Sequence, residues 1–355
     1  MAPVIAELSG RGRNVDGLVC VTGQHRNLLD QVLSTFSIQP DFDLDIMRDK
    51  QTLAGITSTM VSELQQVIQT AQPDWILVQG DTSSAMCAAL CAFYNRIKIA
   101  HVEAGLRTYQ IHNPFPEEAN RRIIGLLANL HFAPTERARS TLLSEGVTPE
   151  SVHLTGNTIV DALHWTLEQA PRGQAYLSDV VVMAIKGGRL LLVTAHRREN
   201  HGAGLEELCK AITQIVAASP DVVVVFPVHP NPAVADIVNG LLDGVRRVHL
   251  LAPLPHDVFV WLENNAYLIV TDSGGVQEEA ACLGKPTLII RTATDRPEAV
   301  DAKNARIVGT EKSSIASAVL TLLNNVEDYS AMCGQVDVYG DGNAARRIVD
   351  LLLTT

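Results

Sequence analysis

Thr271-Asp-Ser-Gly-Gly-Val-Gln-Glu-Glu-Ala280 closes the apolar run Leu268–Thr271, makes a glycine turn and opens a helical pattern. Strand, glycine turn and helix, in that order, is how a parallel α/β fold receives an anion. Two glycines without Cβ atoms let the backbone approach a phosphate. The free N–H groups of the helix start, at the positive end of its dipole, then supply the hydrogen bonds. A diphosphate fits this turn, and Glu278 and Glu279, one turn in, can accept from ribose hydroxyls. The same residues also make an ordinary strand-to-helix turn, so the stretch gains its weight from its surroundings.

Outward from that turn, short β-rich runs alternate with longer helical patterns: residues 18–22, Trp75–Gln79, 97–102, Leu130–Ala133 and 152–155, then 190–194, Val222–Pro227, 248–250, Leu268–Thr271 and 287–290. Buried parallel strands read this way, with amphipathic helices such as Leu53–Ala71 and residues 205–218 between them. A chain of 355 residues, 46% of them hydrophobic, exceeds what one core usually serves. The expected fold class is α/β, with two doubly wound, Rossmann-like domains in a GT-B arrangement and the active site in the cleft between them. The irregular stretch 169–188, with Pro171, Gly173 and Gly187-Gly188, gives the boundary. Residues 1–168 form the N-terminal domain, 169–340 the C-terminal nucleotide-binding domain, and 341–355 a helix expected to pack back on the first.

Composition excludes several functions. A net charge of -11 lacks the basic face of a nucleic-acid binder. The six cysteines, Cys20, Cys87, Cys91, Cys209, Cys282 and Cys333, contain no C-x-x-C pair, so neither a disulfide framework nor a zinc site is expected. No apolar run is long enough to span a membrane and no signal-peptide layout is present, which predicts a soluble cytoplasmic protein.

In open parallel sheets, ligands bind beyond the carboxyl ends of the strands. The residues just after the strands here are rich in acids and histidines: Asp81 after Gly80, Glu103, Glu117 and Glu118 at a helix expected to start at Pro116, His196 beside Arg197-Arg198, and His229 between two prolines. Each has a second reading. Asp81 caps the next helix, Glu117 and Glu118 complement a helix dipole, and His196 and His229 are plain loop residues. Gly105, two residues after Glu103, points to close approach of the backbone to something.

The sequence resembles the bacterial non-hydrolysing UDP-N-acetylglucosamine 2-epimerases. The resemblance rests on Gln24-His25-Arg26, Gly80-Asp81-Thr82, His101-Val-Glu-Ala-Gly-Leu-Arg-Thr108, Pro116-Glu-Glu-Ala-Asn-Arg121, Thr155-Gly-Asn-Thr158, His196-Arg-Arg-Glu199, Pro227-Val-His-Pro-Asn231, the stretch from Thr271 to Ala280, Arg296-Pro-Glu298 and Tyr339-Gly-Asp-Gly342, in this order over nearly the whole chain. It implies interconversion of UDP-N-acetylglucosamine and UDP-N-acetylmannosamine by anti elimination of UDP to 2-acetamidoglucal and re-addition. Asp81, Glu103 and Glu117 match the family's catalytic carboxylates and His196 the histidine that assists the departing UDP. Spacing does not choose which acid removes the C2 proton. Ser273, Gly274 and Gly275 match diphosphate contacts, Glu279 the ribose partner, Phe259 a uracil neighbour and Arg296 a ligand-side arginine. No cofactor or metal is implied. Gln24, Glu117, Arg197 and His229 match a second, allosteric substrate site; Asn27 and Lys50 depart from the family there, which implies altered activator affinity. The family also implies a homodimer and a role in polysaccharide biosynthesis.

One departure lies at the start. Members open with a strand and a Gly-Thr-Arg-Pro-Glu loop, whereas this sequence begins with what reads as the first helix, and the expectation is a late-placed start. The rival readings are a hydrolysing epimerase that releases UDP and N-acetylmannosamine, a GT-B glycosyltransferase, and an inactive truncated nucleotide-sugar-binding protein.

Overall fold

Runs of consecutive apolar residues such as Val222–Pro227 become central parallel strands because helices cover both of their faces. The computed structural model describes residues 1–12, 15–23, 26–48, 51–169, 177–197, 200–294 and 296–355, with backbone alone at 27, 28, 169, 179, 180 and 183. The chain divides into two units, Met1–Ala162 with Gly340–Thr355, and Leu163–Tyr339.

In the first unit β1 (Cys20–Val21) pairs with β2 (Phe42–Asp43). Apart from them, β3 (Trp75–Gln79), β4 (Lys98–Val102), β5 (Leu130–Ala133) and β6 (Val152–Leu154) form a sheet in sequential order, and every pairing is parallel. Helix Leu53–Ala71 buries Ile56, Met60, Leu64 and Ile68, four residues apart, in one cluster with Cys87 and Cys91 of helix Ser83–Tyr94. Helix Ala344–Thr354 contributes Ala345, Ile348, Val349 and Leu352 to a core with Val4, Ala100 and Phe132. The Asp161 carboxylate accepts from the backbone N–H groups of Ala344 and Ala345, a negative charge at the positive end of that helix.

The second unit holds a six-stranded parallel sheet of β7 (Arg189–Thr194), β8 (Val222–Pro227), β9 (Val248–Leu251), β10 (Leu268–Thr271), β11 (Thr287–Ile289) and β12 (Ala305–Ile307), in spatial order β12-β11-β10-β7-β8-β9. This is the doubly wound order, with the winding reversed between β7 and β10. One face carries Leu191, Val193, Val224 and Val270 against helix Ala203–Ala218; the other carries Leu190, Leu192, Val225 and Ile269 against helix His256–Asn265.

Several details differ from the sequence reading. Residues 169–188 are not irregular throughout: Asp179–Gly187 is a helix whose Ser178 hydroxyl accepts from the Val181 N–H, with Val181, Val182 and Ile185 buried. Its run of valines carries neither a helical nor a strand period and hid it. The helix expected at Pro116 starts at Glu117, with Pro116 as the flanking residue. β2 and β12 are two and three residues long, too short to leave an apolar run. Among the described residues no helix is long and apolar enough to cross a membrane.

Candidate functional site

In the first unit the chemistry gathers at the carboxyl ends of β3 and β4. Gly80 follows β3 with φ 66°, and a Cβ there would lie 3.8 Å from Glu103 Oε2, so the two strand ends are adjacent. Asp81 does not cap the next helix. Thr82 does, its hydroxyl accepting from the Ala85 N–H at 3.1 Å. The Asp81 carboxylate instead meets Arg121 Nη2 at 2.5 Å, and its carbonyl accepts from Asn120 Nδ2 at 2.9 Å. Both partners lie on helix Glu117–Leu127, so the same two bonds bring Glu117, one turn before Arg121, to the ends of β3 and β4.

Glu103 has φ 61°, a left-handed conformation that costs a non-glycine residue about 1–3 kcal/mol and persists where the surroundings enforce it. Gln79 Nε2 donates to its Oε2 at 3.3 Å. Gly105 does mark a close approach, but to protein: a Cβ there would stand 2.2 Å from the Ala138 carbonyl oxygen. Glu118 is fully buried and accepts from the backbone N–H groups of Thr108 and Tyr109 at 3.0 and 3.2 Å. It anchors the loop between β4 and the helix.

In the second unit the candidate residues stand at the switch point, where adjacent connections leave in opposite directions. Ser273 flanks helix Gly274–Cys282 and no side-chain cap engages its first N–H groups, which leaves them for an anion. Gly274 packs its Cα side toward Arg296, whose Cζ would be 3.6 Å from an added Cβ. Glu278, expected as one of two ribose acceptors, is bound by Arg296 Nε at 2.5 Å, while Glu279 is not. Glu279 is 6% exposed, and burial together with the charge of Glu278 pushes its carboxyl up to about 8. Phe259 lies half-buried on the helix that precedes β10.

His196 follows β7 and is held by Asp272, which follows β10. Its N–H donates to both carboxylate oxygens, at 3.1 and 3.0 Å, and its Nδ1 lies 3.4 Å from Oδ1. Burial lowers its pKa; Asp272 opposes that, while Arg197, His229 and His201 add to it. Its ring stacks on that of His229 at 6.1 Å and 21°. His229 Nδ1 accepts from the Asn231 N–H at 3.2 Å, which puts the ring proton of the neutral form on Nε2. Gln24, Lys50 and Arg198 lie outside the described residues, as does the side chain of Asn27.

A family model described as UDP-N-acetylglucosamine 2-epimerase matches residues 7–353. The chain belongs to the UDP-N-acetylglucosamine 2-epimerase family. The Escherichia coli K12 UDP-N-acetylglucosamine 2-epimerase is 45% identical over 355 residues, 99% of this chain and 94% of that protein. The crystal structure of the Neisseria meningitidis UDP-GlcNAc 2-epimerase bound to UDP-GlcNAc superposes with a TM-score of 0.93 at 42% identity, covering 100% of this chain and 96% of the other. The co-structure of Staphylococcus aureus MnaA with UDP gives 0.92 at 43% identity, covering 99% and 92%.

Three residues given no role by the sequence reading organise these strand ends. Arg121 clamps Asp81; Asp272 binds His196, Arg197 and Asn200; and His101 donates from Nε2 to the Gly80 carbonyl at 2.8 Å. All three stand inside the quoted motifs, His101 and Asp272 at strand ends and Arg121 one turn into its helix. His101 is wholly buried, which drives its pKa down to about 3 and keeps it a neutral donor.

Proposed function

We propose that the chain interconverts UDP-N-acetylglucosamine and UDP-N-acetylmannosamine without releasing the sugar, by anti elimination of UDP to 2-acetamidoglucal and re-addition. The observation that carries this reading is the uncapped helix start at Gly274, set beyond β10 at the switch point. Family membership and the UDP-GlcNAc bound by the Neisseria meningitidis relative support it.

In this reading Ser273, Gly274 and Gly275 hold the diphosphate on backbone N–H groups, Glu279 accepts from the ribose, Phe259 lies beside the uracil and Arg296 stands on the ligand side. No carbonyl acidifies C2–H, so proton removal must be coupled to loss of UDP. A carboxylate among Asp81, Glu103 and Glu117 takes the proton, the C2–H electron pair becomes the second bond between C1 and C2, and the C1–O pair leaves with UDP. The remaining carboxylates stabilise positive charge developing at C1. His196, oriented by Asp272, assists the departing phosphate. On return the UDP oxygen re-forms the C1–O bond and a proton reaches the other face of C2, which inverts that carbon.

By the family resemblance Gln24, Glu117, Arg197 and His229 are assigned to a second substrate site that activates the first, with hyperbolic kinetics and a single binding event as the refuting result. The enzyme acts in the cytoplasm as a homodimer joined through helices of the first unit; Tyr94 at 65% and Leu126 at 85% exposure on two of them are apolar surface such a contact would cover. Proton NMR of UDP-N-acetylglucosamine incubated in D₂O tests the central reading. Deuterium at C2 with UDP still attached supports it. Free N-acetylmannosamine selects hydrolysis, and UDP binding without exchange selects a binding protein.

A further inference from the structure

The helix His256–Asn265 carries an acid with no ordinary partner. Glu263 is 0% exposed, and neither of its carboxylate oxygens has a donor among the described residues. What faces it is another acid: helix His256–Asn265 packs on helix Gly274–Cys282, and among the described residues Glu279 is the one charged group that acts on Glu263, by charge and as a hydrogen-bond partner. A carboxylate only accepts, so two ionised carboxylates in contact leave both without a donor and add their repulsion to the cost of burial. A leucine or methionine would fill the position at no such cost.

We propose that Glu263 and Glu279 share a single proton, and that Glu263 is the positioning residue that fixes the charge and direction with which Glu279 meets the ribose of UDP. The inference rests on the ribose contact assigned to Glu279 above. The proton belongs on Glu263, the more buried of the two and the one with no other partner among the described residues. Its O–H then donates to one oxygen of Glu279. The other Glu279 oxygen keeps the negative charge and accepts from the vicinal hydroxyls of the ribose, a charge-assisted geometry aimed by a fixed O–H···O bond. Burial raises both carboxyls, and the Glu278 charge adds to the effect on Glu279.

Few neighbours can blur this pair. On the Glu279 helix, Glu278 is paired with Arg296, which tempers its charge, and the Cys282 thiol is pushed up to about 12. The segment after it brings Glu298, and the short turn Asp337–Tyr339 brings Asp337 and a buried tyrosine. On the Glu263 helix, His256 and Asp257 lie in the opposite, first turn. β7, packed on that helix, offers only Arg189, which is paired with Asp221, and β10 and β11 carry no charge.

Infrared difference spectra and calorimetric titration with UDP, both on the full chain, test the proposal. At about pH 7.5 the wild-type chain should show the C=O stretch of a protonated carboxyl that Glu263→Gln lacks. Its amide donates permanently, so this variant should bind UDP within about threefold of wild type and show no alkaline loss. Wild-type affinity should fall about tenfold per pH unit once the shared proton is lost. Glu279→Gln should weaken UDP by about tenfold at every pH, the loss of a charged hydrogen bond. If Glu279→Gln binds UDP as wild type does, the ribose reading fails. If it binds weakly while Glu263→Gln keeps the wild-type alkaline limb, or if wild type lacks the protonated band, the shared proton is refuted and the ribose contact stands. Should Glu263→Gln fail to fold, the wild-type band decides alone: it must titrate away as pH rises, and its absence at neutral pH overturns the proposal.

Discussion

Replacing Asp272 by asparagine changes one atom in the middle of the second unit and should be felt at both stability and chemistry. Asp272 is 0% exposed. Its Oδ2 accepts from the N–H groups of His196 and Arg197, each at 3.0 Å, and from Asn200 Nδ2 at 2.8 Å; its Oδ1 accepts from the His196 N–H at 3.1 Å. Asparagine has one acceptor oxygen. Turned toward the three donors, it keeps those bonds without their charge, about 0.5–1 kcal/mol weaker each, and sets its NH₂ against the His196 N–H at a further cost of about 1 kcal/mol. The sum is about 3 kcal/mol. For a unit of this size that lowers the melting temperature by roughly 6–12 °C. The lost charge also removes what holds the His196 pKa up against burial, so the acid limb of the rate profile should move to lower pH. Scanning calorimetry and a pH profile of C2 exchange read the two effects separately. An unchanged melting temperature together with an unmoved acid limb would refute the account of Asp272 as the residue that builds this loop.

The clamp on Asp81 can be tested with Arg121→Met. The arginine side chain is 5% exposed and lies between Asp81 and Glu118. Its loss should slow C2 exchange by about 10–100-fold through misplacement of the acid and leave UDP affinity unchanged; a fall in UDP affinity instead would contradict that division of roles. His101 and His131 are held neutral by burial, at about 3 and about 4. Both values lie below the ordinary histidine value, so their stabilising effect is complete above about pH 6.5 and is lost as pH falls. Each should cost about 1.4 kcal/mol per pH unit below about 6.5, until the pKa in the folded chain is reached. Denaturant unfolding at about pH 7 and pH 5 should show this steepness, and a flat profile would exclude buried neutral histidines. Glu103→Gly should relieve the left-handed backbone and gain about 1 kcal/mol in thermal unfolding while abolishing C2 exchange. A destabilised variant would show that Glu103 is not strained.

The α/β class and most central strands were legible because buried parallel strands are continuous apolar runs, and β3, β5, β8 and β10 begin and end where those runs do. Short edge pieces such as β12 are placed by tertiary pairing and leave no local trace. The site residues were legible as residues at strand ends, but not their roles. Gly105 was a true signal of close approach with a structural cause, the Ala138 carbonyl. The backbone strain at Glu103, a more direct mark of a functional position, has no signature in side-chain type. Thr82 and Asp81 are both good capping residues, and only the geometry decides that the threonine caps and the acid turns to Arg121.

Hydrogen-bond donors, rather than residue type, separate the acids that the described residues saturate from those they do not. Glu118, Asp272 and Asp161 each receive two or more backbone N–H groups, and Glu278 receives a guanidinium. A carboxylate so saturated is fixed in place, because each donor holds one of its lone pairs. Glu117 has no protein donor among the described residues, and what faces Glu279 is the Glu263 carboxyl. Asp81 stands between: among the described residues one oxygen is taken by Arg121 and the other is not, which holds the carboxylate still while leaving it an open edge. An acid that must take a proton from carbon needs both properties, fixed position and an unspent lone pair. Glu117 and Glu118 put the contrast in two neighbouring residues: helical geometry turns the second inward to anchor the loop and leaves the first without a protein partner among the described residues.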